Sequence, residues 1–232
     1  MLPPTTEQNL GSVGPADDRP ALAVVRASID AGSLRDARAQ FDSLSADGPE
    51  SFAVDQLHSD LLWAEQDFER IVSVFEPLLG ESVEPERRAL AAFAVARVWF
   101  RRERYEEAGQ LAVRVSDQLR GYRTVSREMG QLQCLAGNCA LQVRELGEAK
   151  ARLRRGVSSL ESIGASDAVA DGLLSMARCA KATAEWDEAE ALNLRALRIY
   201  EALSAARQIL AATTNLAVLR LFRGWFHSAW PL

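Results

Sequence analysis

Six short phrases recur in one frame along the chain: GSLRDA (32–37), QDFERI (66–71), ERYEEA (103–108), RELGEA (144–149), AEWDEA (184–189) and RGWFHSA (223–229). Each ends on alanine except the second, where Ile71 takes the place. Successive end residues are 34, 37, 41, 40 and 40 positions apart. A period of this length marks a stacked repeat, in which each unit buries its apolar face on the next rather than folding around one closed core.

The residues around each phrase show what is repeated. Phe93, Ala96, Val98, Trp99 and Phe100 form a stripe at helical spacing, RRER (101–104) interrupts it, and Tyr105, Ala108, Leu111, Ala112 and Val115 begin a second stripe. Two amphipathic helices joined by a short polar turn make an αα-hairpin. The next unit runs Leu132, Leu135, Ala136, Cys139 and Ala140, then Ala149, Leu153 and Val157; the one after it runs from Leu173 to Ala180 and from Ala189 to Tyr200. Small residues (Ala96, Gly137, Ala177 and Ala217) stand 12 positions before the alanine of each second helix. Glycine inside a helix costs about 1 kcal/mol, so Gly137 implies close contact at the crossing. The expected fold is an all-α, right-handed superhelix of about six helical hairpins. Its helices are expected near 20–31, 34–46, 50–65, 68–79, 84–102, 105–119, 123–143, 147–163, 166–183, 186–203, 206–222 and 225–232. Residues 1–19, with Pro3, Pro4, Gly11, Gly14 and Pro15 and few apolar side chains, read as a disordered leader; residues 20–232 read as the array, its last repeat incomplete.

Composition narrows the function. The 232 residues carry a net charge of -5, against the basic surplus of a nucleic-acid binder, so no direct nucleic-acid binding by this segment is expected. No run approaches the roughly 18 apolar residues of a membrane span, and MLPPTTEQ lacks the charged and apolar regions of a secretory signal. The expectation is a cytoplasmic protein without membrane contact. The chain contains no phosphate-binding lysine loop, serine elbow, HExxH or dinucleotide fingerprint. Cys139 and Cys179 share one repeat position and, with Cys134, read as small buried hydrophobes. His58 reads as a polar contact within a helix, and His227 as a solvated residue of a turn. No catalytic residue, metal ligand or cofactor is assigned, and no enzymatic activity is expected.

The pattern resembles the tetratricopeptide repeat: a small residue in the first helix, an aromatic three residues on (Trp99), a Gly-x-Tyr-x-x-Ala-like turn, and alanine opening the second helix. GSLRDA, RYEEA and EWDEA carry the likeness, which spans roughly residues 20 to 232 and is strongest over 84 to 229. Ile71 departs from the pattern, and the family's proline after the second helix is mostly missing. Periods of 40 and 41 imply longer helices, and the stretch 194–224 looks like the long-period repeats of bacterial multidomain regulators, where such arrays flank ATPase and DNA-binding modules.

The resemblance implies a concave groove lined from each first helix. The implied positions are Leu90, Phe93, Arg97, Phe100 and Arg101, then Gln131, Cys134, Asn138, Leu141 and Gln142, then Asp171, Leu174, Arg178, Lys181 and Ala182. Arg97, Asn138 and Arg178 would stack in register with Arg101, Gln142 and Lys181 beside them, and Trp63 falls at a groove position of the second unit. Such a strip would hold a protein or peptide partner, acidic or extended, through charge-assisted bonds. The implied function is a non-catalytic interaction scaffold, the docking or sensing array of a bacterial signalling or transcriptional regulator. The alternative is a sensor whose superhelix closes on a metabolite or signal peptide. Trp99 is expected in the core, with Trp186 and Trp225 as hairpin staples. Trp225, Phe226, Trp230 and Leu232 would leave the last repeat uncapped, an apolar patch that favours self-association.

Overall fold

A computed structural model describes residues 19–45, 51–122 and 126–229. Among them every regular element is helical, and they divide between Gln66 and Asp67 into two compact units.

The first unit contains α1 (Arg19–Asp30), α2 (Leu34–Ser45) and α3 (Phe52–Ala64). Val25, Ala37, Phe41, Leu57 and Leu61 form its core. His58 stacks on Phe41 with ring centres 4.6 Å apart, so this histidine packs across helices and is not confined to its own. The Ser51 hydroxyl accepts the Val54 N–H and caps α3, and Arg38 donates through Nε to Glu65 at 3.0 Å.

The second unit contains α4 (Phe68–Phe75), α5 (Pro85–Arg101), α6 (Tyr105–Gln118), α7 (Arg127–Gln142), α8 (Leu146–Ser162), α9 (Ser166–Ala182), α10 (Trp186–Ala202) and α11 (Ala206–Ala229). A 3₁₀ turn follows α4 at Glu76–Leu79, and another follows α6 at Leu119–Gly121. From α4 onward each helix packs on the next, while α5 lies beside α7 and α7 beside α9. The frame residues Ile71, Ala108, Ala149 and Ala189 are at most 1% exposed, and Ala37 of the first unit is fully buried. At the α7–α8 crossing a β-carbon on Gly137 would lie 2.7 Å from Leu153 Cγ and 3.1 Å from the Ala149 carbonyl oxygen. Trp99 is half-buried, with the Arg104 guanidinium 4.9 Å from its ring centre, and Trp186 packs against Ala180, Ala189 and Leu219.

Five residues before each frame residue, the backbone turns left-handed: Gly32 at φ 74°, Gln66 at 60°, Glu103 at 61°, Arg144 at 65° and Ala184 at 60°. The turn lets the N–H three residues past the first helix reach back: Glu145 N–H to the Ala140 carbonyl at 2.9 Å, Glu185 N–H to the Ala180 carbonyl at 2.8 Å. A left-handed residue with a β-carbon costs about 1–2 kcal/mol, and glycine's extra freedom in the unfolded chain returns part of that. Ala184→Gly is therefore expected to stabilise the protein by about 0.5 kcal/mol. Thermal unfolding checks it; a lower Tm would contradict strain at this turn.

The sixth hairpin departs from expectation. Gly224 occupies the turn position, yet α11 continues through it to Ala229, so the helices expected at 206–222 and 225–232 are one helix over the described residues. Glycine tolerates either backbone, so position 224 does not impose a turn, and continuing the helix keeps hydrogen bonds that a turn would break. Accordingly Ala217, the small residue of the sixth unit, is exposed, unlike Ala96, Gly137 and Ala177. His227 lies within a helix rather than in a turn. Leu210 and Leu221 are 69% and 70% exposed, so α11 has an uncovered apolar face even before residue 225. The leader over 1–18, and the side chains of Trp225, Phe226, Trp230 and Leu232, lie outside the described residues.

Candidate ligand-binding face

The first helices of three successive repeats, α5, α7 and α9, form one face. Each buries the stripe that contains its small residue (Ala96, Gly137 or Ala177) against its own second helix. The residue after that small one then points from a different side, and in the three repeats it is Arg97, Asn138 and Arg178.

The structure brings these positions together. Arg178 donates through Nη2 to Asn138 Oδ1 at 3.0 Å, joining α9 to α7, and to Ser175 Oγ at 3.1 Å. Ser175 is 5% exposed, and its hydroxyl donates to the Asp171 backbone carbonyl at 3.1 Å. Arg97 lies over Phe93, one helical turn away, with Cζ 5.8 Å from the ring centre. Phe93, Arg97, Asn138, Asp171 and Ser175 share a cavity of about 170 Å³ whose floor includes Cys134. Desolvation pushes the Cys134 thiol up to about 12, helped by the Asp171 charge, and burial does the same to Cys139. Both are therefore neutral thiols, which lack the reactivity of a thiolate. Among the described residues, no three acidic, histidine or cysteine side chains cluster as a metal site.

The remaining groove positions go elsewhere. Arg101 holds its guanidinium 5.1 Å from the centre of the Phe68 ring. Lys181 sits 6.0 Å from that of Phe222, an exposed aromatic of α11. Gln142 is exposed at the last position of α7. Trp63, half-buried on α3, belongs to the first unit.

Sequence reading placed Asp171 among the groove positions but missed its partner. The buried Tyr200 of α10 donates its hydroxyl to the Asp171 carboxylate on α9. Asp171 retains solvent exposure, and desolvation raises its carboxyl above the usual aspartate value, with the Tyr200 hydrogen bond opposing. A raised folded-state value means the carboxylate costs stability at neutral pH, and the cost fades as pH falls through the raised value toward the unfolded value of 3.8. Asp171→Asn keeps an acceptor for Tyr200 and removes the charge. It is expected to be more stable relative to wild type at pH 7 than at pH 4. Urea unfolding at both values checks this, and the reverse order would contradict it. Asp167 behaves oppositely: desolvation raises it, but Arg127, which donates through Nη1 at 2.9 Å, outweighs that and lowers it.

No family model matches the sequence, and no curated protein matches it. Solved structures do. Bacillus thuringiensis PlcR in complex with the peptide PapR7 and DNA superposes with a TM-score of 0.69 at 10% identity, over 86% of this chain and 76% of that one. A Rap protein complexed with Competence and Sporulation Factor gives 0.63 at 14%, over 90% and 72%. A Pyrococcus horikoshii signal transduction ATPase with a tetratricopeptide repeat sensor gives 0.61 at 12%, over 88% of this chain and 33% of that one. The likeness at these identities is one of fold: the chain has the helical-hairpin repeat fold seen in tetratricopeptide-like solenoids.

Proposed function

We propose that this tetratricopeptide-like array is a non-catalytic docking module that binds an extended acidic peptide, or such a segment of a partner protein, along α5, α7 and α9. The observation that carries the reading is the in-register placement of Arg97, Asn138 and Arg178 on three successive first helices, tied by the Arg178–Asn138 hydrogen bond. Desolvation lowers the Arg178 value, yet a guanidinium stays charged at any physiological pH, so Arg178 presents a permanent cation on this face. A cavity of about 170 Å³ lies below the roughly 300–1,000 Å³ that encloses a small-molecule ligand. That favours a chain lying along the face over a metabolite held inside it. The PlcR structure in complex with the peptide PapR7 supports the same reading by likeness, as do the Rap protein complexed with Competence and Sporulation Factor and the sensor role named for the ATPase repeats. In this reading the array is the docking or sensing part of a bacterial cytoplasmic regulator. No described helix is long and apolar enough to cross a membrane.

Selection from a random-peptide display library tests the proposal. Enrichment of sequences with Asp or Glu is expected, with binding retained by synthetic copies of the enriched peptides. Equal recovery of neutral and acidic sequences would contradict it.

A further inference from the structure

In the second unit, successive second helices flank clefts, and the chain treats two of these clefts differently. Between α8 and α10, Lys150 reaches across to Glu185 and to Glu188, the latter at 3.1 Å, and Arg154 reaches Glu188 at 3.5 Å. Two cations of α8 thus neutralise the two glutamates at the start of α10, the second helix of the next hairpin.

The repeat frame identifies the same positions one unit earlier. Glu185 and Glu188 stand four and one residues before Ala189; Glu145 and Glu148 stand four and one before Ala149. Lys150 and Arg154 stand one and five residues after Ala149; at one and five after Ala108 the chain has Gly109 and Val113. The glutamates are kept and both cations are gone. The α6–α8 cleft is correspondingly open, with a volume of about 640 Å³. Its walls bring Glu106, Glu145 and Glu148 together over a floor containing Gly109, Val113 and Cys139. Arg152 pairs with Glu148 along its own helix, while Glu106 and Glu145 have no ion pair among the described residues. Val143, also on the wall, is 39% exposed.

We propose that the α6–α8 cleft is a second docking site, and that its occupant is a basic segment of a partner protein. The segment supplies a lysine or arginine in the place that Lys150 fills in the next cleft, beside Glu145, and an apolar neighbour against Val113 and Val143. Charge complementarity selects the cation, since three carboxylates face a single arginine. The chain's own use of a lysine at the equivalent position shows that this register accepts an ammonium group. The site is independent of the α5–α7–α9 face, which selects the opposite charge.

The test is an NMR titration of the full chain with the capped peptide Ala-Leu-Lys-Leu-Ala, and with the same peptide carrying norleucine for lysine, at low salt where exposed charges are least screened. Saturable shifts are expected at the Gly109, Val143 and Glu145 amides with the lysine peptide only. Glu145→Gln, an exposed isosteric change that leaves the fold intact, is expected to weaken binding about fivefold, the scale of one exposed ion pair. Reversing Arg97 and Arg178 should leave this titration unchanged, which separates its outcome from that of the first site. Absence of shifts, equal shifts with norleucine, an unaltered affinity in Glu145→Gln, or shifts confined to α5, α7 and α9 would each overturn the proposal.

Discussion

Gly156→Ala is expected to destabilise the protein by about 2–3 kcal/mol, although alanine is the better helix former by about 1 kcal/mol. The reason is the α7–α8 crossing. A β-carbon on Gly156 would sit 2.5 Å from Cys134 Sγ, 2.8 Å from the Gly130 carbonyl oxygen and 2.9 Å from the Cys134 backbone nitrogen. Two of those atoms are backbone and cannot rotate away, so the helices themselves must part. Separating them would also loosen Gly137 against Leu153 and Gly130 against Leu160, which use the same close approach. Gly147, at the start of the same helix, meets nothing within 4 Å, and Gly147→Ala is expected to stabilise by about 0.5 kcal/mol. Urea unfolding of both variants gives the comparison, with equal slopes ensuring that only stability has changed. Shifts of the same sign would contradict the packing described for this crossing.

The second large effect concerns binding. Arg97→Glu combined with Arg178→Glu is expected to weaken an acidic peptide selected on the wild-type chain by about 100-fold or more. Two charge-assisted hydrogen bonds are lost at about 1.5–3 kcal/mol each, and each 1.4 kcal/mol is tenfold. The fold should survive, because Arg178 is exposed and Arg97 only half-buried. The Arg178 bonds to Asn138 and Ser175 would be lost, a cost of about 1–3 kcal/mol in all. Isothermal titration reads the affinity and circular dichroism the fold. An affinity within threefold of wild type would return both arginines to the solvated surface.

The repeat frame was legible because close helix crossings tolerate few residue types. Alanine at 108, 149 and 189 and a small residue 12 positions earlier leave a regular trace in the sequence, and those positions are buried in the structure. The end of the array was not legible. Gly224 permits a turn and a helix alike, and only the backbone of α11 reveals which one forms. Gly130 and Gly156 escaped notice because their tight contacts come from the partner helix, outside the local sequence. On the candidate face, the family resemblance put Arg97, Asn138 and Arg178 at one register position, and a hydrogen bond joins Arg178 to Asn138 across α9 and α7. Arg101 and Lys181 had long stems with a choice of neighbours, and each lies against an aromatic ring. The Asp171–Tyr200 pair was hidden for another reason. Tyr200 continues the apolar stripe of α10, and nothing local marks where its hydroxyl finds a partner 29 residues away.

The central claim, that the α5–α7–α9 face receives the partner, is tested most directly by following the arginine side-chain Nε–H signals during titration with a selected acidic peptide. The Arg97 and Arg178 signals are predicted to shift together, saturate at one equivalent and become protected from solvent exchange. If both stay unmoved while the peptide binds and signals elsewhere in the chain shift, the partner docks on another surface and the account of this face is wrong.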